Sequence, residues 1–156
     1  MNKRKEVRGE YNLKEDMFVV GTVGRFSPVK NYTFLVEVFS KIYRSKKNAY
    51  LMIVGEGDLK GEIEEYCRQY KVLEKVIFVG MKENVWDYYM AFDVFLGTSL
   101  AEGFGTTAIE AQATGLPTFV SLGFPETTVV TNYAYRLEEY DVEDEAETEI
   151  MIDVSG

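Results

Sequence analysis

Met17-Phe18-Val19-Val20-Gly21-Thr22-Val23-Gly24-Arg25-Phe26-Ser27-Pro28-Val29-Lys30-Asn31 is the stretch that decides how this chain folds. Its first seven residues are almost unbroken in apolar character. That is the pattern of a strand covered on both faces, as parallel strands between layers of helices are. Glycine, serine, proline and asparagine then make a turn-rich loop. Phe34, Leu35, Val38, Phe39, Ile42 and Tyr43 recur beyond it at helical spacing, with Asn31 or Thr33 placed to cap the helix.

The same succession repeats outward from there. Residues 50–54 read as a second buried strand, ending in Gly55-Glu56-Gly57-Asp58, and Asp58 is placed to cap an amphipathic helix over 59–70. Residues 76–80 give a third strand, 84–90 a brief aromatic helix, 93–97 a fourth strand and 118–121 a fifth. The order β-α-β-α-β-α-β-α-β predicts an α/β fold, a Rossmann-like parallel sheet with helices on both faces. Ligands of such sheets bind at the carboxyl ends of the strands, where every glycine-rich loop named here would gather. Residues 1–16 read as a linker or short helix with a thin apolar stripe of Val7, Tyr11 and Leu13. Residues 127–131 read as a strand or a helix start, and 138–149 as a solvated acidic tail. The expectation is a single domain over 1–156 with its core in 17–126, and 127–156 left as an acidic C-terminal segment.

Bulk composition narrows the function classes. A chain of 156 residues suffices for one buried core, and a net charge of −9 argues against a general nucleic-acid binder. The single cysteine, Cys67, allows no intramolecular disulfide and no cysteine metal cluster, and it reads as half-buried on its helix. The absence of histidine removes a Ser/His/Asp triad and the commonest general base. No apolar run reaches membrane-spanning length.

Chemistry concentrates in Ala101-Glu102-Gly103-Phe104-Gly105-Thr106-Thr107-Ala108-Ile109-Glu110-Ala111, which runs on to Gly115 and Pro117. Gly103 and Gly105 permit backbone angles closed to other residues, and residues 106–114 form a helix stopped by the later glycine and proline. A helix opening out of a glycine turn offers unpaired N–H groups and a positive dipole end to an anion. Glu102 and Glu110 invite comparison with a glycosidase carboxylate pair. Glu110, in the second helical turn, suits neutral hydroxyls better than a scissile bond. Arg25 and Lys30 occupy a strand-to-helix loop where they read either as solvated cations or as phosphate ligands. Gly55 and Gly57 read as a tight turn rather than a dinucleotide fingerprint, because Lys60 stands where a third glycine belongs. Trp86, Asp87, Tyr88 and Tyr89 read as core packing rather than a sugar platform.

Taken together, residues 23–31, Ile53-Val54-Gly55-Glu56-Gly57, Val76-Ile77-Phe78-Val79-Gly80 and Ser99-Leu100-Ala101-Glu102-Gly103-Phe104-Gly105 with Glu110-Ala111 resemble one family. It is the C-terminal, donor-binding domain of GT-B-fold retaining glycosyltransferases, family 4 or glycosyl transferases group 1, and the resemblance covers residues 17–126. It implies a hexosyltransferase that moves a sugar from a UDP-, GDP- or ADP-sugar donor to an acceptor hydroxyl with its anomeric configuration kept. It implies Arg25, Lys30 and Glu102 as catalytic residues, the first two on the donor diphosphate and the third on the transferred sugar. Glu110 falls on the ribose, Gly24, Gly103, Phe104, Gly105, Thr106 and Thr107 on sugar and phosphates, and the backbone at Gly80 and Met81 on the base. Neither a cofactor nor a metal is implied.

Asn31 stands where the family commonly has glycine, and Thr98 where it commonly has proline. The family's N-terminal acceptor domain is not recognisable, so a fragment is expected, with weak donor binding and little turnover. The implied setting is polysaccharide biosynthesis in the cytoplasm, with the inner membrane surface an option for the full-length enzyme. The rivals are a non-catalytic GT-B-like binding or scaffold module and a nicotinamide-dependent oxidoreductase. Arg25 and Lys30 are expected to lie beside the Gly105 turn.

Overall fold

The computed structural model describes residues 2–137. Six strands form one sheet: β1 (Phe18–Val23), β2 (Ala49–Val54), β3 (Val76–Gly80), β4 (Val94–Gly97), β5 (Thr118–Val120) and β6 (Ala134–Arg136). Their order is β3-β2-β1-β4-β5-β6, and every pairing is parallel. Five helices cover it: α1 (Lys3–Glu10), α2 (Tyr32–Ser45), α3 (Lys60–Gln69), α4 (Val85–Ala91) and α5 (Thr106–Ala113). The chain adds strands to one side of β1, then returns to its other side at β4. That reversal opens a crevice between the carboxyl ends of β1 and β4, where a parallel sheet receives ligands.

Alternation along each strand divides the core in two. Phe18 and Val20, Leu51 and Ile53, Val94 and Leu96, and Phe119 face α2 and α3. Val19, Met52, Val54, Phe95 and Val120 face the second layer, packed with Tyr88, Tyr89, Ala108 and Ala111 of α4 and α5. The apolar run of β1 is thus explained residue by residue, since successive side chains enter opposite layers.

Four features differ from the sequence expectations. Asp58 does not cap α3: the helix begins after Leu59, without a side-chain cap. Asn31 precedes α2 but makes no side-chain cap either; its backbone is left-handed (φ 54°), closing the 3-10 turn Pro28–Lys30. Both glycine and asparagine accept that conformation, which accounts for Asn31 at a position where glycine is common. Residues 126–128 form a 3-10 turn rather than a strand or α-helix, and β6, a strand absent from the sequence expectations, follows. The packed body also extends beyond 17–126. Helix α1 buries Val7 and Arg8, and β6 pairs with β5. The acidic stretch 138–149 lies outside the described residues.

Helix α1 is fixed by charge more than by its apolar stripe. Arg8, 1% exposed, donates to the carbonyls of Ala91 (2.9 Å), Lys14 (2.8 Å) and Met17 (3.1 Å) and to Asp93 Oδ2 (2.8 Å). Asp93 Oδ2 also accepts from Val19 N–H (2.7 Å), and Asp93 Oδ1 from Arg4 (2.7 Å). Burial lowers the Arg8 guanidinium below its ordinary range, while the Asp93 carboxylate pulls in the opposite direction.

Candidate functional site

The loops after β1, β4 and β5 are tied together at the carboxyl edge of the sheet. Thr98 Oγ1 donates to the carbonyls of Lys30 (3.0 Å) and Asn31 (3.2 Å), and Leu100 N–H to the carbonyl of Val29 (2.7 Å). Glu102 N–H donates to Gly123 O (2.9 Å), and Ser121 Oγ to Ser99 O (2.6 Å). These ties place Lys30 against the loop that precedes α5. Its ammonium lies 2.5 Å from Glu102 Oε1, which also accepts from Ser99 Oγ at 2.6 Å. Thr98, where the family commonly has proline, therefore links the β1 and β4 loops through its hydroxyl.

Gly105 forms the N-cap of α5 with φ 65°. A Cβ there would meet Thr128 Oγ1 at 2.7 Å and Phe124 Cδ2 at 2.9 Å, so conformation and packing both demand glycine. Gly103 differs from the sequence expectation, for its φ is not positive and a Cβ would meet open space. Ile109 N–H bonds back to Gly105 O (3.0 Å). The N–H groups of Thr106 and Thr107 belong to the first turn, where an α-helix has no internal acceptor for them. Thr107 lines a narrow cleft with Lys30, Thr98, Ser99, Glu102 and Phe124.

A larger cavity of about 560 Å³ adjoins along the ends of β1, β2 and β3. Arg25 lines it with Gly24, Glu56, Asp58, Met81 and Lys82. Its floor is backbone packed on backbone. A Cβ on Gly55 would lie 2.0 Å from Gly24 O, and Phe26 N–H donates to Glu56 O (3.0 Å). The Gly55-x-Gly57 pair thus serves the close approach of two loops, and Asp58, freed from any capping role, faces the cavity.

The expected site residues fall into three groups. Lys30 and Glu102 meet directly, three residues before Gly105. Arg25, exposed, lies with Gly24 and Met81 in the larger cavity instead of joining them, and Val23 borders both spaces. Phe104, 82% exposed, and Thr106 project from the turn. Glu110 lines neither space; its Oε1 accepts a 2.9 Å hydrogen bond from the Tyr89 hydroxyl of α4. Tyr88 and Tyr89 are buried, so the aromatic cluster is largely core, although Trp86 remains 47% exposed. Cys67, read as half-buried, is fully buried, and burial pushes its thiol up to about 11, leaving no thiolate for chemistry. Among the described residues no helix is long and apolar enough to cross a membrane.

The sequence matches the family described as Glycosyl transferases group 1 over residues 3–149. It is 38% identical over 116 residues to "Putative glycosyltransferase EpsF" of Bacillus subtilis (strain 168), covering 74% of this chain and 30% of that protein. The fold is similar to that of WaaG, a glycosyltransferase involved in lipopolysaccharide biosynthesis, with a TM-score of 0.84 at 22% identity over 97% of this chain and 42% of WaaG. It is also similar to Anabaena Alr3699/HepE in complex with UDP and glucose, with a TM-score of 0.82 at 18% identity over 99% of this chain and 45% of that one. The chain thus spans about 30% of the curated relative's length and under half of each solved one.

Proposed function

This chain belongs to the glycosyl transferases group 1 family, and on that premise we propose that the carboxyl edge of its sheet is the donor-binding half of a retaining, family 4 hexosyltransferase. The donor is a nucleotide-diphosphate sugar, and the product is a glycoside of an acceptor hydroxyl. The observation that carries this reading is the Lys30–Glu102 contact at the β1/β4 crevice, beside the open N-terminus of α5. A cation and a row of N–H groups there suit a diphosphate, while the adjoining cavity lined by Arg25 and Met81 has room for a nucleoside. The solved HepE structure, bound to UDP and glucose, supports that choice of ligand.

Transfer develops negative charge on the departing diphosphate. Lys30 and the α5 dipole are positive groups beside that charge, the exposed Arg25 side chain approaches it from the adjoining cavity, and the reading requires no divalent metal. As the phosphate takes the place of Glu102 on Lys30, the Glu102 carboxylate turns to the hydroxyls of the transferred sugar. Glu110 binds the ribose hydroxyls, the backbone near Met81 binds the base, and Gly103, Phe104, Thr106 and Thr107 border the sugar and phosphates. Acceptor binding falls to an N-terminal domain of a longer, cytoplasmic enzyme. The 156 residues alone bind donor nucleotide weakly and turn over little or nothing.

Calorimetric titration with UDP, GDP, ADP and NAD tests this. Binding of at least one nucleoside diphosphate, and not of NAD, is expected. Binding of NAD alone would transfer the site to redox chemistry, and binding of none would favour a scaffold module.

A further inference from the structure

Glu110 stands on α5, yet its carboxylate is held from α4. Tyr89 donates to Oε1 at 2.9 Å, and the geometry of that contact points to a positioning residue: we infer that Tyr89 sets the ribose recognition made by Glu110. The inference rests on the donor-binding reading above and adds to it a residue that does not touch the ligand.

Three observations support it. First, the Tyr89 ring cannot swing. It is 1% exposed and meets Trp86, Phe92 and Phe95 edge to face, with centroids 5.7, 6.2 and 6.2 Å away. A hydroxyl on so tightly packed a ring is a fixed point. Second, the hydrogen bond runs in one direction. Burial, and then the Glu110 carboxylate, raise the Tyr89 phenol well above its ordinary value, so it stays a donor throughout the physiological range. A phenol donating to Oε1 leaves Oε2 as the acceptor for a ligand hydroxyl. Third, the anchor shares an element with the cavity. Helix α4 carries Tyr89 and also Val85, which lines the 560 Å³ space together with Met81 and Lys82. One short helix therefore fixes both the wall of the nucleoside cavity and the orientation of the carboxylate on α5. Without the phenol, Glu110 is an ordinary half-buried side chain on α5, free to sample other rotamers, and ordering it on binding opposes affinity.

The test compares UDP, GDP and ADP with their 2′,3′-dideoxy counterparts on wild type, Tyr89→Phe, Glu110→Ala and the double variant. Wild type is expected to prefer the ribose form about tenfold, in line with a hydrogen bond to a charged group. Tyr89→Phe should reduce that preference to about threefold or less while leaving dideoxy affinity unchanged. In the Glu110→Ala background it should have no further effect. A merely structural Tyr89 would alter ribose and dideoxy affinities alike, because loss of folded protein scales both, so an unchanged ratio overturns the inference while the donor-binding reading stands. If wild type binds no nucleoside diphosphate, both fall together.

Discussion

Arg8 and Asp93 meet at the amino edge of the sheet, Lys30 and Glu102 at its carboxyl edge, and the two pairs differ in how much of their hydrogen-bonding capacity is committed. Arg8 is buried and makes four hydrogen bonds, three of them to main-chain carbonyls of α4 and of the segment before β1. Asp93 adds Arg4 and the Val19 N–H. The Lys30 ammonium has three protons, but among the described residues its hydrogen bond is to Glu102, and the two side chains keep 28% and 18% exposure. A group with four of its five N–H donors committed inside the protein holds the fold and has little left to offer a ligand. A cation with donors to spare, beside a carboxylate that can turn away, can exchange partners when an anion arrives.

The largest effect should come from breaking the committed pair. Arg8→Ala leaves Asp93 without its buried partner and takes a donor from the carbonyls of Ala91, Lys14 and Met17. Removing one member of a buried pair is worth roughly 3–5 kcal/mol, a large share of the stability of a domain this size. At about 2–4 °C per kcal/mol, the thermal midpoint should fall by roughly 10 °C. A fall of only a degree or two in a calorimetric scan would show that α1 is not fixed in this way.

Lys30→Ala should reverse that profile. The pair it removes is partly solvated and contributes at most about 1 kcal/mol to folding, so the midpoint should move by roughly 3 °C or less. Nucleoside diphosphate affinity should drop about tenfold or more, because a charge-assisted phosphate contact is lost. If the melting midpoint fell instead and affinity held, Lys30 would belong with Arg8 as a structural group.

The contrast also marks what the sequence could reveal. The sheet was legible because β1, β2, β3 and β4 are apolar on both faces and their spacing requires crossover helices. The placement of Lys30 beside the turn before α5 was legible because both lie on loops that follow strands, and such loops share one edge; its direct contact with Glu102 was not. The Arg8–Asp93 pair spans 85 positions and has no local pattern. Its helix carries so many charges that it reads as a linker or short helix with only a thin apolar stripe, and nothing marks Arg8 as buried. Tyr89 stayed hidden among aromatic neighbours because its hydroxyl becomes significant only when α4 and α5 lie side by side. Asp58 misled in the opposite sense, since an acid before an amphipathic helix suggests a cap whether or not the backbone lets it reach. Arg25 was expected beside the Gly105 turn together with Lys30; it lines instead the cavity at the ends of β1, β2 and β3.

Glu102→Ala gives the smallest effect and the finest distinction between the two edges. In the unliganded protein the carboxylate competes with phosphate for Lys30, so its removal frees the ammonium. The gain is small, because a partly solvated pair is already screened by water and salt. Affinity for UDP or GDP should therefore stay within about threefold of wild type, rising if it moves at all, and the rise should shrink as salt is added. A tenfold loss, matching Lys30→Ala, would mean that Glu102 holds Lys30 in place as Asp93 holds Arg8. The carboxyl-edge pair would then be a support and not an exchangeable contact. A small change at Glu102 beside a large one at Lys30 is the outcome that separates a partner to be displaced from a partner that positions.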